Sequence, residues 1–396
     1  MSDPARLRTR APGEHLLRTR PLIMLCGPPR VGKSTACRSL ASSLLNWDDS
    51  EDRRVFLRGA AAVLERLGRP RARDAIVGFD NLCRYRKWRE FLRDFRARSG
   101  PHTRLIVTND AAPEVERPGP AGPRIRCAYL RIHPWSVGEC VREDWSATLI
   151  HPAAAVDEAD WAALLDHGGF PEPFIRRDPA FTRQWHSVGV PRASGAAVQE
   201  AAPLHDPVGL QSLAGLLAAY SACSLVYSDF SRELGVTVET VTRWVDVLSR
   251  LNYGFCVRPW FTRVVKALRR EPKWFLRDWS GLTDPAARQK TFVACHLLKA
   301  VESWSDLGLG RFALRYVRDK LGREVDFLVT RNDRPWFLVT LGNARRQSEC
   351  LARFQSAIRA RHAFQLVFDA PFVSTDCFSL PGPTLVPART LLSQLP

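Results

Sequence analysis

Gly27-Pro28-Pro29-Arg30-Val31-Gly32-Lys33-Ser34 fits the pattern G-x-x-x-x-G-K-[ST] without deviation. Its glycines let the backbone turn successive N–H groups toward phosphate oxygens. Lys33 adds a point charge for the β- and γ-phosphates, and the Ser34 hydroxyl can ligate Mg²⁺. Thr35 opens the helix that follows and extends the binding set, because a helix N-terminus favours an anion. Such a site also needs an acidic residue at the end of a neighbouring strand to hold Mg²⁺ through water. Asp80, directly after the apolar run Ala75–Phe79, is the candidate. Many enzymes of this kind place a Glu next, to polarise the attacking water, but here the residue is Asn81. An amide can orient water and cannot take its proton, so the residues predict slow turnover. Thr108 and Asn109 end the next apolar run and are expected to sense the γ-phosphate. Arg124 and Arg126 are candidates for stabilising transferred charge on a neighbouring subunit.

The elements that must position these groups can be read from periodicity. Leu22–Cys26, Ala75–Phe79, Leu105–Thr108 and Ile125–Arg131 read as buried strands. Lys33–Asn46, Arg53–Leu67 and Lys87–Arg98 read as helices, and Pro113–Pro123 as a loop. Strands alternating with helices imply an α/β domain with a mainly parallel sheet covered on both faces. A Trp-rich segment follows, ending in a linker near His186–Pro207. Phe230–Leu234, a turn at Gly235 and the amphipathic Val238–Leu251 then form a helix-turn-helix pattern, followed by the strand-like Tyr253–Val257. The last block is mixed α/β, with a helix at Phe292–Val301 and strands at Arg323–Val329, Trp336–Leu341 and Ala363–Phe368.

At 396 residues the chain can hold two or three domains, and 45% apolar with 25% charged residues suits a globular protein. It shows no secretory signal, and its longest apolar stretch, Leu213–Val226, is too short for a bilayer, so a cytoplasmic, non-membrane protein is expected. Its 10 cysteines form no C-x-x-C pair and read as reduced, small hydrophobes. A formal charge of +17 favours a polyanionic partner such as DNA. The same surplus also follows from heavy use of Arg on a solvated surface. Arg232, Arg243 and Arg250 on or beside the two helices can reach phosphates, whereas Val241 and Trp244 read as core. No cluster of base-reading side chains accompanies them.

Further matches run over nearly the whole chain: Asp48-Asp49 with Glu51-Asp52-Arg53, Phe79-Asp80, Tyr85-Arg86-Lys87-Trp88, Leu130-Arg131-Ile132-His133-Pro134 with Glu139, and Gly168-Gly169-Phe170-Pro171-Glu172-Pro173-Phe174. They continue through Lys273 with Asp278, Phe292-Val293-Ala294 with His296-Leu297-Leu298, and Glu324-Val325-Asp326-Phe327. With these residues the chain resembles the prokaryotic AAA-type ATPases that carry a C-terminal domain of unknown function with a restriction-endonuclease-like core. The resemblance implies ATP rather than another nucleotide. It also implies an ATPase domain over residues 1–135, a connecting or lid segment over 136–206, a winged helix over 207–262 and a nuclease-like α/β domain over 263–396. AAA-type modules form rings that share sites, so the resemblance admits a homo-oligomer, though no residue pattern fixes one.

The departures bear on activity. The family's Phe-Asp-Glu is Phe79-Asp80-Asn81 here. In the nuclease-like part the helix Glu is replaced by Lys290, and the Glu-x-Lys pair by Thr340-Leu341-Gly342. Asp326 alone cannot assemble a metal site, so nuclease activity is not expected. Three readings follow: a slow ATP-dependent switch acting on DNA or a protein partner; a working ATPase in which Asp49 or Glu51 replaces the missing Glu; or a non-enzymatic interaction protein with a relic nucleotide site.

Overall fold

The computed structural model describes residues 4–68, 75–111, 127–142, 144–187, 206–260, 271–343, 346–380 and 382–396, with side chains from Arg10 onward. Most of the linker, the Pro113–Pro123 loop, Arg124 and Arg126 lie outside the described residues. The described chain divides into two compact units, one running to His133 and the other from Pro134 onward apart from Arg250–Asn252.

In the first unit, helix α1 (Pro4–Thr19) leads into β1 (Leu22–Cys26), fully buried, and the phosphate-loop motif joins β1 to α2 (Lys33–Leu40). The helix expected over Lys33–Asn46 stops at Leu40. Ala41 turns to an extended conformation, the Ser42 N–H donates to Ile76 O at 2.8 Å, and Ser43–Asn46 becomes the short strand β2. The backbone satisfies itself on a neighbouring strand instead of continuing the helix. The helix expected over Arg53–Leu67 is two helices, α3 (Ser50–Leu57) and α4 (Ala60–Leu67), separated by Gly59 at φ +96°. A positive φ at that glycine breaks the run.

β3 (Ile76–Asp80), α5 (Trp88–Ser99), β4 (Arg104–Asn109) and β5 (Cys127–Arg131) complete the unit. The strand order is β2-β3-β4-β1-β5 and every pairing is parallel. Register aligns Asn46 with Asp80 and Cys26 with Asn109, so the polar residues collect at the carboxyl ends of the strands. One face of the sheet is anchored by Phe56, Phe79, Phe91 and Phe95, all buried. Phe79 meets Phe91 and Phe95 edge-on, with centroids 5.6 and 5.0 Å apart. This packing fixes β3 immediately before Asp80.

The second unit begins with short helices α6 (Val137–Val141), α7 (Glu158–His167), α8 (Pro171–Arg176) and α9 (Pro179–Ser187). Three helices follow: α10 (Pro207–Ala219), α11 (Tyr227–Leu234) and α12 (Val238–Arg250). Gly235 at φ +66° caps α11 and makes the tight turn. Strands β6 (Gly254–Pro259) and β7 (Lys273–Leu276) pair antiparallel. The 22-residue helix α13 (Pro285–Asp306) is longer than the run expected from the sequence, because Asp284 caps it and Pro285 opens it.

Then come β8 (Phe312–Arg318), β9 (Glu324–Arg331), β10 (Arg334–Leu341), α14 (Glu349–Ile358), β11 (His362–Val367), β12 (Pro383–Pro387) and α15 (Ala388–Ser393). The seven-stranded sheet runs β12-β11-β10-β9-β8-β6-β7. It is mixed: β6–β8, β10–β11 and β11–β12 are parallel, and the other pairings antiparallel. Its core is aromatic, with Trp274, Trp279, Trp304, Phe292, Phe327 and Phe337 all buried below 2% exposure.

Candidate nucleotide site

The loop from Gly27 to Gly32 takes the backbone its glycines require. A Cβ at Gly27 would lie 2.2 Å from the Ile132 carbonyl oxygen, and Gly32, at φ +104°, faces open space. Gly32 is the N-cap of α2 and supplies no side-chain bond to it, so the first-turn N–H groups of Lys33, Ser34 and Thr35 are available to an anion. Within the loop Arg30 adopts φ +65° and Val31 is buried, while Pro28 contributes its carbonyl to Lys33.

Lys33 is 5% exposed and satisfied three times over. Its ammonium donates to Gly27 O at 3.0 Å and Pro28 O at 2.7 Å, and pairs with Asp110 Oδ1 at 2.8 Å. Asp110, one residue past β4, was not singled out by the sequence. Its other oxygen pairs with Arg84 Nη2 at 3.0 Å. Burial pushes the Asp110 carboxyl upward, but Lys33 and Arg84 overcome that and hold it below the usual carboxylate range.

Ser34 and Asp80 meet as the motif requires. Ser34 Oγ donates to Asp80 Oδ1 at 3.0 Å, and Thr108 Oγ1 donates to the same oxygen at 2.6 Å. One hydroxyl and one nearly buried carboxylate are a suitable protein share for Mg²⁺, which keeps several waters and takes further oxygens from phosphates. Among the described residues no group of three or more His, Cys, Asp or Glu side chains could hold a metal by itself.

Asn81 adopts φ +56°, and its N–H donates to Thr108 Oγ1 at 2.8 Å. Its side-chain amide donates to Asp48 Oδ2 at 2.9 Å. Asn109 turns instead to its own loop, accepting from Ala111 N at 3.1 Å. Of the two carboxylates considered as replacements for the missing Glu, Asp49 is occupied as the N-cap of α3, accepting from Glu51 N at 2.9 Å and Asp52 N at 3.0 Å. Glu51 stands exposed on that helix.

In the second unit, Asp326 is 8% exposed and fully engaged. Lys290 pairs with Oδ1 at 2.8 Å, while Thr340 Oγ1 and Leu341 N donate to Oδ2 at 2.8 and 3.1 Å. Burial raises this carboxyl, and Lys290, with Lys273 and the Leu341 N–H, more than reverses the effect. An ammonium therefore stands beside the carboxylate on which a metal site would depend. On α12, Val241 and Trp244 are buried as expected, and the exposed charged positions are Glu239, Arg243, Asp246 and Arg250. These cancel in sign. The outward Arg232 of α11 pairs weakly with Asp229 at 3.6 Å.

Residues 19–141 match the family model for an AAA domain, and residues 158–286 match that of a domain of unknown function (DUF8612). The second match lies across the middle of the chain, whereas the sequence resemblance placed a domain of unknown function at the C-terminal end. No curated protein matches the chain. Among solved structures, the Walker-type ATPase PABY2304 of Pyrococcus abyssi is 18% identical, with 72% of this chain and 94% of that one covered at a TM-score of 0.40. PCH-2 of C. elegans is 16% identical, covering 63% and 67% at 0.23. A signal-transduction ATPase with numerous domains and a tetratricopeptide repeat sensor from Pyrococcus horikoshii is 12% identical, covering 76% and 48% at 0.23. No helix among the described residues is long and apolar enough to cross a membrane. The N-terminal α/β unit, with its parallel five-stranded sheet and its phosphate loop, thus carries an AAA domain of the nucleotide-binding, ATPase-like class.

Proposed function

We propose that the chain is an ATP-dependent switch that binds Mg–ATP at Gly27–Thr35 and turns it over slowly. The observation that carries this reading is the Lys33–Asp110 pair at 2.8 Å beside an intact Ser34–Asp80 pair. A phosphate must draw the Lys33 ammonium away from Asp110, so bound and empty states differ in a buried charge pair, and differential binding by two states is all a switch requires. Asn81 in place of a Glu supports slow turnover.

The second unit carries the output. Lys290 on Asp326 supports a binding rather than a nuclease role for it. Helices α11 and α12, followed by the antiparallel β6–β7 pair, suit a winged-helix arrangement. The self-cancelling charges on α12 favour a protein partner or non-sequence-specific contact with the DNA backbone over base reading. Phosphate release from Mg–ATP with and without duplex DNA, together with DNA affinity at low and moderate salt, tests the reading. Nucleotide-dependent change in partner affinity supports it. Affinity for DNA that stays flat between the two salt conditions removes DNA as the partner.

A further inference from the structure

A carboxylate stands against the residue that occupies the position of the missing Glu. Trp47 N donates to Asp80 O at 2.9 Å, so the end of β2 is tied to the end of β3 and the next residue, Asp48, sits beside Asn81. Trp47 also stacks on Tyr85, with ring centroids 4.7 Å apart and planes at 20°. That stack holds together the two chain segments that carry Asp48 and Arg84. Asp48 Oδ2 accepts from Asn81 Nδ2 at 2.9 Å and pairs with Arg84 Nη1 at 2.6 Å, and neither bond uses Oδ1. Its neighbours are engaged elsewhere: Asp49 caps α3, and Asp52 Oδ2 accepts from Asn46 N at 2.8 Å. Of the acidic side chains at the end of β2, Asp48 is the one in contact with the residue after Asp80.

We propose that Asp48 is the general base of ATP hydrolysis, set in place by Asn81 and restrained by Arg84, and that nucleotide binding releases it through Asp110. This rests on the nucleotide reading above. In the hydrolytic step the water oxygen forms a bond to the γ-phosphorus while the bond from phosphorus to the bridging oxygen breaks, its electron pair leaving on ADP. The water proton passes to Asp48 Oδ1 and from there to solvent, to which the side chain is 39% exposed. The balance is ATP and water to ADP, phosphate and one proton. A continuous chain of contacts runs Lys33–Asp110–Arg84–Asp48–Asn81. When the phosphates take the Lys33 ammonium, Arg84 is the remaining cationic partner of Asp110. The guanidinium is drawn toward Asp110, and the Asp48 carboxylate is released from its ion pair with Arg84.

The test measures phosphate release and, separately, equilibrium ATP affinity. Asp48→Asn is expected to lower kcat by about 10²-fold or more, within the usual contribution of a general base, with ATP affinity within about threefold of wild type. Adding Asn81→Glu to Asp48→Asn restores at least about tenfold of the lost rate, because the carboxylate returns at the neighbouring position. Arg84→Gln removes the ion pair that restrains Asp48 and is expected to change kcat while ATP affinity stays within about threefold of wild type, a split that a purely structural arginine would not produce. Turnover by Asp48→Asn within about threefold of wild type overturns the proposal. So does a wild-type protein that binds ATP yet releases no phosphate in a single-turnover experiment, though the nucleotide reading survives both results. Absence of ATP binding overturns both together.

Discussion

Replacing Asp110 with Asn separates two effects that the structure predicts will move in opposite directions. The substitution keeps the side-chain shape and removes the charge that pairs with Lys33 at 2.8 Å and Arg84 at 3.0 Å. Both Asp110, at 12% side-chain exposure, and Lys33, at 5%, are largely out of water. Breaking such a pair costs about 3–5 kcal/mol when the survivor is left alone. Here Lys33 keeps two carbonyl acceptors and Arg84 keeps Asp48, which reduces the expected loss to about 1–2 kcal/mol. For a domain of this size that lowers the melting temperature of the nucleotide-free unit by roughly 5 °C.

ATP binding should respond the other way. Phosphates no longer compete with a carboxylate for Lys33, so the energy removed from the empty state reappears as affinity, about 5–30-fold tighter. Thermal melts of the free protein and fluorescence titration with a non-hydrolysable ATP analogue measure the two halves. The pH dependence has a fixed sign. A carboxyl held below its ordinary value stabilises the fold above about pH 4 and loses that contribution as pH falls through its folded value, so Asp110→Asn should flatten the acid side of the melting profile. An Asp110→Asn variant that melts with wild type and binds nucleotide no more tightly would refute the reasoning.

Other sites give sharper structural tests. Lys290→Met leaves Asp326 buried with two hydrogen bonds and only the Lys273 charge, held by Glu324, nearby; it should cost about 2–3 kcal/mol at neutral pH, less below about pH 4 where the carboxyl takes a proton; denaturant melts across pH check it. His296 accepts from Val137 N at 3.0 Å, so Nδ1 carries the proton toward Phe292 O at 2.8 Å; burial pushes the ring down to about 4. Stability from this neutral ring is complete above about pH 6.5 and is lost as pH falls toward 4, by up to roughly 3 kcal/mol, a loss that His296→Gln should abolish in acid titrations. Gly27→Ala drives a methyl into the Ile132 carbonyl and should eliminate ATP binding, whereas Gly32→Ala meets open space and should cost about 1–3 kcal/mol of strain; parallel melts and titrations separate them.

How much the sequence revealed depends on whether the interacting residues are adjacent in it. Gly27–Ser34 is contiguous, its chemistry follows from spacing alone, and Asp80 could be found because it ends an apolar run. Asp48, Arg84 and Asp110 come from three different connections and meet because β2, β3 and β4 are parallel and in register at their carboxyl ends. A signal existed in principle, since each is a charged residue within a few positions of a strand end, but only the strand order makes them neighbours. The break after Leu40 escaped periodicity because Ser43–Asn46 is a four-residue edge strand, too short to show alternation. Strands β8 and β12 were missed for a related reason: their burial is irregular, and β8 shifts register between Arg315 and Val317. Lys290 could be placed opposite Asp326 through the family pattern, while their pairing needed the fold.

The most direct test of the account is equilibrium titration of the wild-type protein and Lys33→Ala with Mg–ATP. Saturable binding by the wild type, reduced at least about 100-fold by the substitution, is predicted from a buried ammonium whose charge is satisfied by a phosphate. Equal affinities, or no saturable binding by the wild type, would contradict a nucleotide site at Gly27–Ser34.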